Sequence, residues 1–502
     1  MIHNDSLFAQ FSTVELTYDD LYLFSQNLSG TLSLKTGLTT PLIVLQTEST
    51  IVTVQIIAAC WLTKIPFIAI PEKATPTEIS SYLKDLNPNI IIGNEKFISD
   101  VKKSVGFIPS ILSSTLLFDN FNDANSISLN KSVQTTDFIA ESVNSVHNDT
   151  DSIFAYLFTS GTTDKPKCVP ITRLQILSAT ESTRKNLPID KSDQWLLTIP
   201  LNHIGGISII TRSVILGSSL RYIPKFDVEI VQKILSSESK VTFCSLVPTQ
   251  LQKVMMDSSF QVHSKFNSIL LGGGPIPEST IETARSRRIP VIPSFGMTET
   301  TAQCIAVPFP EMNSAPLNSC GKPLHGVEIQ IRPPANSHEA DSKNPGLLWV
   351  RGPQIIKQYL NKNDRQSFDE DGWFNTEDFA EIDSNGFVQI LMRRTDRIVS
   401  GGENINPVEI ENLILQMTEI SEVSVVGLPD DIWGQKIVAV LPSSIAHHKV
   451  NPDDIKLFLK GKLAQFKMPK DIIVVESIPR TSSGKIKRFE LIEMISQSNQ
   501  PE

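Results

Sequence analysis

Ser152-Ile-Phe-Ala-Tyr-Leu-Phe158 followed by Thr159-Ser-Gly-Thr-Thr-Asp-Lys-Pro-Lys167 is an apolar run that opens into a loop of hydroxyls, one glycine and two lysines. The run reads as a buried strand, which puts Thr159, Ser160, Thr162 and Thr163 at its carboxyl end, where open parallel sheets bind ligands. Gly161 lets the backbone approach an oxyanion closely, while Lys165 and Lys167 supply positive charge and the hydroxyls and backbone N–H groups supply donors. Such a loop suits phosphate. Taken alone it is as easily a solvated Ser/Thr turn, so its surroundings decide.

Pro41-Leu-Ile-Val-Leu45, Pro66-Phe-Ile-Ala-Ile70 and Asn89-Ile-Ile-Ile-Gly93 read as strands separated by helical patterns over about 50–63 and 76–86. That alternation predicts a parallel sheet. The rhythm returns with Lys240–Val247, a helix from Pro248 to about Met256, and strands at Ser268–Leu271 and Pro290–Pro293. The last two run into Gly272-Gly-Gly-Pro275 and Ser294-Phe-Gly-Met-Thr-Glu299, loops whose glycines admit a flat or charged ligand against the backbone. Residues 100–150, rich in Ser and Asn, are expected to form a surface connection, and Pro333 to Pro345 a hairpin loop in a β-rich subdomain. Beyond Arg393-Arg-Thr-Asp-Arg397 the pattern becomes a compact α/β unit. Its elements are a helix from Pro407 capped by Asn406, a strand through Val423–Val426, a helix around 452–465 and a strand Asp471–Val475. The expected fold is α/β: a large N-terminal domain of parallel βαβ sheets with a β-rich subdomain, residues 1–394, and a small mobile C-terminal α/β domain, residues 395–502.

Composition fits a soluble globular protein: 502 residues, 40% hydrophobic and 20% charged. A net charge of −9 and a pI near 5.5 leave no electrostatic footprint for nucleic acid or an anionic membrane. Cys60, Cys168, Cys244, Cys304 and Cys320 lie far apart without a C-x-x-C, which indicates neither a disulfide framework nor a structural zinc site and fits a reducing cytoplasm. The N-terminus lacks a basic region ahead of an apolar core, as a secretory signal would need. The most apolar window, Ile51 to Ile70, is interrupted by Gln55, Lys64 and Pro66, and predicts a buried helix followed by a strand, with no stable membrane insertion. No G-x-x-x-x-G-K-[ST] occurs, which excludes a P-loop NTPase.

The phosphate loop, Gly272-Gly-Gly-Pro275, Ser294–Glu299, Gly372-Trp-Phe-Asn-Thr-Glu-Asp378, Arg393 with Gly401-Gly-Glu-Asn404, and Pro479-Arg-Thr-Ser-Ser-Gly-Lys485 occur in an order that resembles the acyl-adenylate-forming superfamily. That group includes acyl-CoA synthetases, luciferases and peptide-synthetase adenylation domains, and the resemblance covers nearly the whole chain. It implies a carboxylic acid activated by ATP, with Mg²⁺ and coenzyme A as the other small-molecule partners. By the same resemblance Thr159, Ser160, Gly161, Thr162, Thr163 and Lys167 would hold phosphate. Gly273, Gly274 and Pro275 would enclose adenine together with Ser294, Phe295, Gly296 and Met297. Thr298 and Glu299 would be catalytic, Glu299 as the acidic partner of Mg²⁺. Asp378 would bond the ribose hydroxyls with Arg393 beside it. Lys485 would assist adenylation, Thr395 would be the hinge of the C-terminal domain, and Gly401 and Gly402 would line the CoA channel. The chain departs from the pattern at Asp164 and Cys168, where glycine is usual, at Phe295 in place of tyrosine, and at Asn375-Thr-Glu-Asp378 in place of Thr-Gly-Asp.

The chain ends seventeen residues beyond Lys485, so a free-standing ligase without a carrier domain is expected. Relatives that activate amino acids place an aspartate where His203 stands, which disfavours an α-amino acid; His203 resembles the ring bordering the acyl pocket of CoA ligases. Two segments, Ile199–Gly217 and Ile269–Thr300, are similar to the 2-succinylbenzoate–CoA ligases of menaquinone biosynthesis. Their substrate is an aromatic dicarboxylate, so one carboxylate reacts and the other needs a fixed cation. Arg212, among Ile209, Ile210, Val214 and Ile215, is the candidate, since a buried guanidinium requires a partner; a guanidinium that snorkels to the surface is the other reading. A ligase for another aryl or medium-chain acid, or a nucleotide-binding protein that has lost catalysis, remain the alternatives.

Overall fold

The computed structural model describes residues 6–12, 14–104, 110–113, 151–159, 166–333, 346–360, 367–393, 398–400, 403–430, 434–446, 451–460, 462–463, 465–480 and 486–498. Among them are four sheets. One has the strand order Ser110–Ser113, Ile90–Gly93, Ile43–Thr47, Phe67–Pro71, Ile153–Thr159, Lys167–Thr172. Its first five strands are parallel and the last antiparallel. A larger sheet orders Lys322–Pro323, Ala302–Ala306, Val291–Met297, Ser268–Leu271, Val241–Leu246, Gln194–Leu197, Ser219–Tyr222, Leu7–Phe11 and Val14–Thr17, parallel through its middle and antiparallel at both ends. A four-stranded antiparallel sheet, Glu328–Arg332 to Val388–Arg393, is the β-rich subdomain. The fourth sheet is built wholly from residues after 397: Glu403–Ile405, Ile398–Ser400, Gly434–Pro442 and Ser424–Asp430, with Asp471–Val475 parallel to Gly434–Pro442.

The apolar window forms a helix, Ile51–Thr63, followed by the strand Phe67–Pro71. Thr50 caps the helix by accepting from Thr53 N, and Lys64 ends it in the left-handed region at φ 62°. Every residue from Ile51 to Leu62 except Gln55 is buried, because the helix packs between the helices Tyr18–Thr36 and Ile204–Leu216 in the main core. A helix apolar on all faces needs such double cover, and each Ile or Leu so buried contributes about 1.5–3 kcal/mol. No helix among the described residues is long and apolar enough to cross a membrane.

The expected βαβ strands all form, most with ends shifted by a residue or two. Three expectations need correction. Ser110–Ser113 lies inside the stretch expected to be only a connection, yet it extends the first sheet in parallel beside Ile90–Gly93. Ser294–Met297, expected as loop, continues the strand Val291–Met297, because it pairs antiparallel with Ala302–Ala306 once the parallel partner has ended at Leu271. The last helix of the C-terminal unit before Asp471 is also shorter than its pattern, Pro452–Leu459.

Candidate active site

The strands Val241–Leu246, Ser268–Leu271 and Val291–Met297 end side by side, and between their carboxyl ends and the helix Ile204–Leu216 is a cavity of about 180 Å³. Gly205, Ser208, Ile209 and Arg212 line it from the helix, the i, i+3, i+4, i+7 spacing of one face. Across from them the wall is largely backbone at Gly272, Gly273 and Gly296. Side chains are not tolerated there: a Cβ on Gly296 would stand 2.0 Å from Ala302 O, and one on Gly272 would stand 2.7 Å from Ser294 Oγ. Gly273 adopts φ +85°, and Pro275, two residues on, is exposed.

His203 is the N-cap residue of the helix but makes no cap bond with its side chain; the ring lines the cavity, with Nε2 3.4 Å from Asn202 Nδ2. Arg212 is buried, 5% exposed, and its guanidinium carbon lies 4.1 Å from the centroid of the Trp195 ring. That ring is fixed by stacking on Phe243, centroids 5.0 Å apart, and by donating from Nε1 to Ser245 Oγ at 3.0 Å. The stacking is a cation–π contact, which leaves the edge N–H donors available. Burial lowers the guanidinium pKa from 12.5 to about 9, with no carboxylate among the described residues acting on it. The group is therefore charged at neutral pH, and a buried cation on a cavity wall with no counter-ion among the described residues favours an anionic ligand. Snorkelling to the surface is ruled out by this burial.

A second group of side chains meets the cavity at Met297 and Thr298. Glu299 follows in the 3₁₀ turn Thr298–Thr300 and is buried. Its Oε1 accepts from Tyr359 Oη at 3.0 Å and from Thr159 Oγ1 at 3.4 Å. Thr159 and Lys167 face each other across the antiparallel pair that brackets residues 160–165, and Lys167 Nζ lies 4.9 Å from the centroid of the Tyr359 ring. Behind Glu299 the chain is held by the segment Gln354–Leu360. Gln354 Nε2 donates to Thr300 O and Gln303 O, at 2.9 and 2.8 Å, while Thr301 Oγ1 donates to Gln354 O at 2.7 Å. Ile356 N donates to Glu299 O, and Leu360 N to Cys168 O, both at 3.0 Å. These contacts fix Thr301 and Ala302 at φ 52° and 76°, a left-handed pair of non-glycine residues that costs about 1–3 kcal/mol each.

Asp378 is buried in the strand Phe374–Ile382, in register with Arg393 on Val388–Arg393. Ser294 is anchored by donating from Oγ to Leu271 O at 3.0 Å, and Phe295, Gly296 and Met297 follow half-buried along the same strand. The structure thus brings together Thr159, Lys167, Thr298 and Glu299, and joins them to the cavity bearing His203 and Arg212. Ser160, Gly161, Thr162, Thr163, Asp164, Lys165, Thr395, Gly401, Gly402 and Lys485 lie outside the described residues, as does the side chain of Arg393. The ends of the Lys485 segment are described: Arg480 and Ile486 form an antiparallel bridge, Arg480 pairs with Glu422 at 2.6 Å, and Arg488 with Glu411 at 2.6 Å.

The family model described as AMP-binding enzyme matches residues 3–360, and that of the AMP-binding enzyme C-terminal domain matches residues 409–485. The chain belongs to the AMP-binding enzyme family. Among AMP-binding enzymes it is similar to the 2-succinylbenzoate–CoA ligase of Listeria monocytogenes, 38% identical over 342 residues that cover 68% of this chain and 70% of the relative. It is also similar to the 2-succinylbenzoate–CoA ligase of Staphylococcus aureus, 33% identical over 453 residues, 88% of this chain and 89% of the relative. The solved o-succinylbenzoate CoA synthetase (MenE) of Bacillus subtilis, in complex with the acyl-adenylate intermediate OSB-AMP, superposes with a TM-score of 0.80 at 29% identity, covering 97% of this chain and 95% of that one. The same synthetase is known in complex with ATP and magnesium ion.

Tyr359, Trp195 and Gln354 did not emerge from the sequence of this AMP-binding enzyme. Tyr359 reaches Glu299 across 60 residues of chain and Gln354 reaches Thr300 across 54. Trp195 sits in an apolar strand where an aromatic reads simply as core.

Proposed function

We propose that this protein ligates 2-succinylbenzoate to coenzyme A at the expense of ATP, through an acyl-adenylate, as a step of menaquinone biosynthesis in the cytoplasm. The carrying observation is Arg212, a buried, charged guanidinium stacked on Trp195 at the cavity wall with no carboxylate partner among the described residues. A dicarboxylate with one ring supplies the missing anion while its second carboxylate extends toward Thr298 and Glu299. An acid with a single carboxylate would spend that group either on Arg212 or on the reaction, and a medium-chain acid would leave the cation buried without an anion. His203 beside the cavity borders the acyl group.

In the first half-reaction a carboxylate oxygen of the acid bonds to the α-phosphorus of ATP and the bond to diphosphate breaks. In the second, the thiol sulfur of coenzyme A bonds to the acyl carbon and AMP leaves. Thr159 and Lys167, with Ser160, Gly161, Thr162 and Thr163, hold the phosphates by hydroxyl, backbone N–H and ammonium donors. Asp378 takes the ribose hydroxyls with Arg393 at its side, and Gly273, Gly274, Pro275, Ser294, Phe295, Gly296 and Met297 enclose the adenine. Lys485 adds charge at the α-phosphate in the first step.

Glu299 suits a magnesium ion. Among the described residues no group of three potential ligands forms an all-protein cage, and Mg²⁺ is commonly held by one or two carboxylates together with substrate phosphates. When bound it neutralises phosphate charge; the chain's part is to present Glu299 with Oε1 already tethered, which orients the carboxylate.

The domain boundary at 394/395 makes Thr395 the hinge that exchanges the Lys485 segment for Gly401 and Gly402 in the CoA channel between the half-reactions. A panel of acids assayed for ATP- and CoA-dependent thioester formation tests the assignment. 2-Succinylbenzoate should give the highest kcat/KM, and a monocarboxylic aryl or medium-chain acid that exceeded it would refute it.

A further inference from the structure

Tyr359 stands between two groups that the adenylation chemistry uses. Its hydroxyl donates to Glu299 Oε1 at 3.0 Å, and its ring lies under the Lys167 ammonium at 4.9 Å. The ring is buried, 6% exposed, and held edge-on by Phe368 with centroids 5.8 Å apart. Its backbone belongs to the segment whose other bonds run to Glu299 O, Thr300 O, Gln303 O and Cys168 O. That segment therefore ties the 3₁₀ turn carrying Glu299 to the strand carrying Lys167. A carboxylate that had only the 3.4 Å contact from Thr159 would sample several rotamers.

We propose that Tyr359 is a positioning residue for magnesium-bound ATP: its hydroxyl holds the Glu299 carboxylate in one rotamer for the metal while its ring seats the Lys167 ammonium beside the phosphates. The inference rests on the assignment of Glu299 as the acidic partner of Mg²⁺. It adds a residue whose part is to orient the ligand, touching neither the metal nor the acid.

The test is equilibrium binding of ATP by calorimetry, in EDTA and along a Mg²⁺ titration, for the wild type, Tyr359→Phe, Tyr359→Leu and Glu299→Gln. Tyr359→Phe removes only the hydroxyl and should raise the half-saturating Mg²⁺ concentration about 10-fold or more, the usual consequence of losing a partner of a metal ligand, with ATP affinity in EDTA unchanged. Tyr359→Leu should show the same Mg²⁺ shift and also weaken ATP binding in EDTA, because Lys167 loses its platform. If Glu299→Gln shifts the Mg²⁺ midpoint and Tyr359→Phe leaves it within twofold, the positioning role is wrong. A Tyr359→Phe loss that is equally large in EDTA assigns the residue to packing and also overturns it. If Glu299→Gln itself leaves the midpoint unmoved, the metal assignment falls and the role of Tyr359 with it.

Discussion

Replacing Arg212 with alanine separates the acid's two carboxylates experimentally. The folded protein holds this guanidinium at a pKa of about 9 against 12.5 in water. At about 1.4 kcal/mol per unit, that depression is a desolvation penalty on the order of 5 kcal/mol, which a bound carboxylate offsets in part. Truncating one partner of a buried, hydrogen-bonded charge pair costs about 2–5 kcal/mol, so the ring carboxylate of 2-succinylbenzoate should lose about 3 kcal/mol, or roughly a hundredfold in KM. The comparator is 4-oxo-4-phenylbutanoate, the same acid without its ring carboxylate. With the wild type it should be the poorer substrate, since it leaves Arg212 without an anion. With Arg212→Ala its KM should change by less than about fivefold, or improve, because the orphaned cation is gone. Thioester formation measured at saturating ATP and CoA gives both constants. Equal losses for the two acids would show that Arg212 serves only to pack on Trp195. Arg212→Met, which refills the space, checks that the loss is not one of shape.

Charge at Arg212 is present below its pKa of about 9 and lost above it. The KM for 2-succinylbenzoate should therefore be flat from pH 7 to 8.5 and rise by up to tenfold per unit above about 9, while that for 4-oxo-4-phenylbutanoate should not follow; parallel profiles would reject the pairing. Lys485→Ala should slow acyl-adenylate formation by about 10²–10³ and spare thioester formation from supplied acyl-adenylate, whereas Thr395→Pro should do the reverse; equal slowing of both steps in both variants would refute domain alternation. Gln354→Met leaves Thr300 O and Gln303 O buried without their donor and should lower unfolding stability by about 2–4 kcal/mol, seen as a lower urea midpoint with an unchanged slope; a midpoint unaffected by the change would mean the left-handed turn holds itself.

Where structure follows from local pattern, the sequence was informative. Phe67–Pro71 and Ile90–Gly93 are apolar runs of strand length between helical repeats, and Asn406 caps its helix by accepting from Val408 N as its position suggested. Ser110–Ser113 escaped because four residues of mixed polarity at a sheet edge carry no alternation long enough to detect. Ser294–Met297 escaped because its glycine signals a loop, whereas the strand uses Gly296 to let Ala302 O come close. Arg212 was legible as a charge out of place in an apolar helix, but its partner ring, Trp195, lies on another element. Tyr359 and Gln354 carry no local signal, since their importance arises only from bonds made across more than fifty residues.

Selectivity and energy supply occupy different kinds of structure here. In the proposed arrangement the nucleotide side depends on strand ends and on a turn held in left-handed conformation. The acid side, in the same proposal, draws on Gly205, Ser208, Ile209 and Arg212, four positions on one face of a single helix, set against a backbone wall at Gly272, Gly273 and Gly296. A descendant of this chain could thus acquire a new acid by a few substitutions along that face without retuning its use of ATP, so the same scaffold is free to diversify its substrates while its fuel stays fixed.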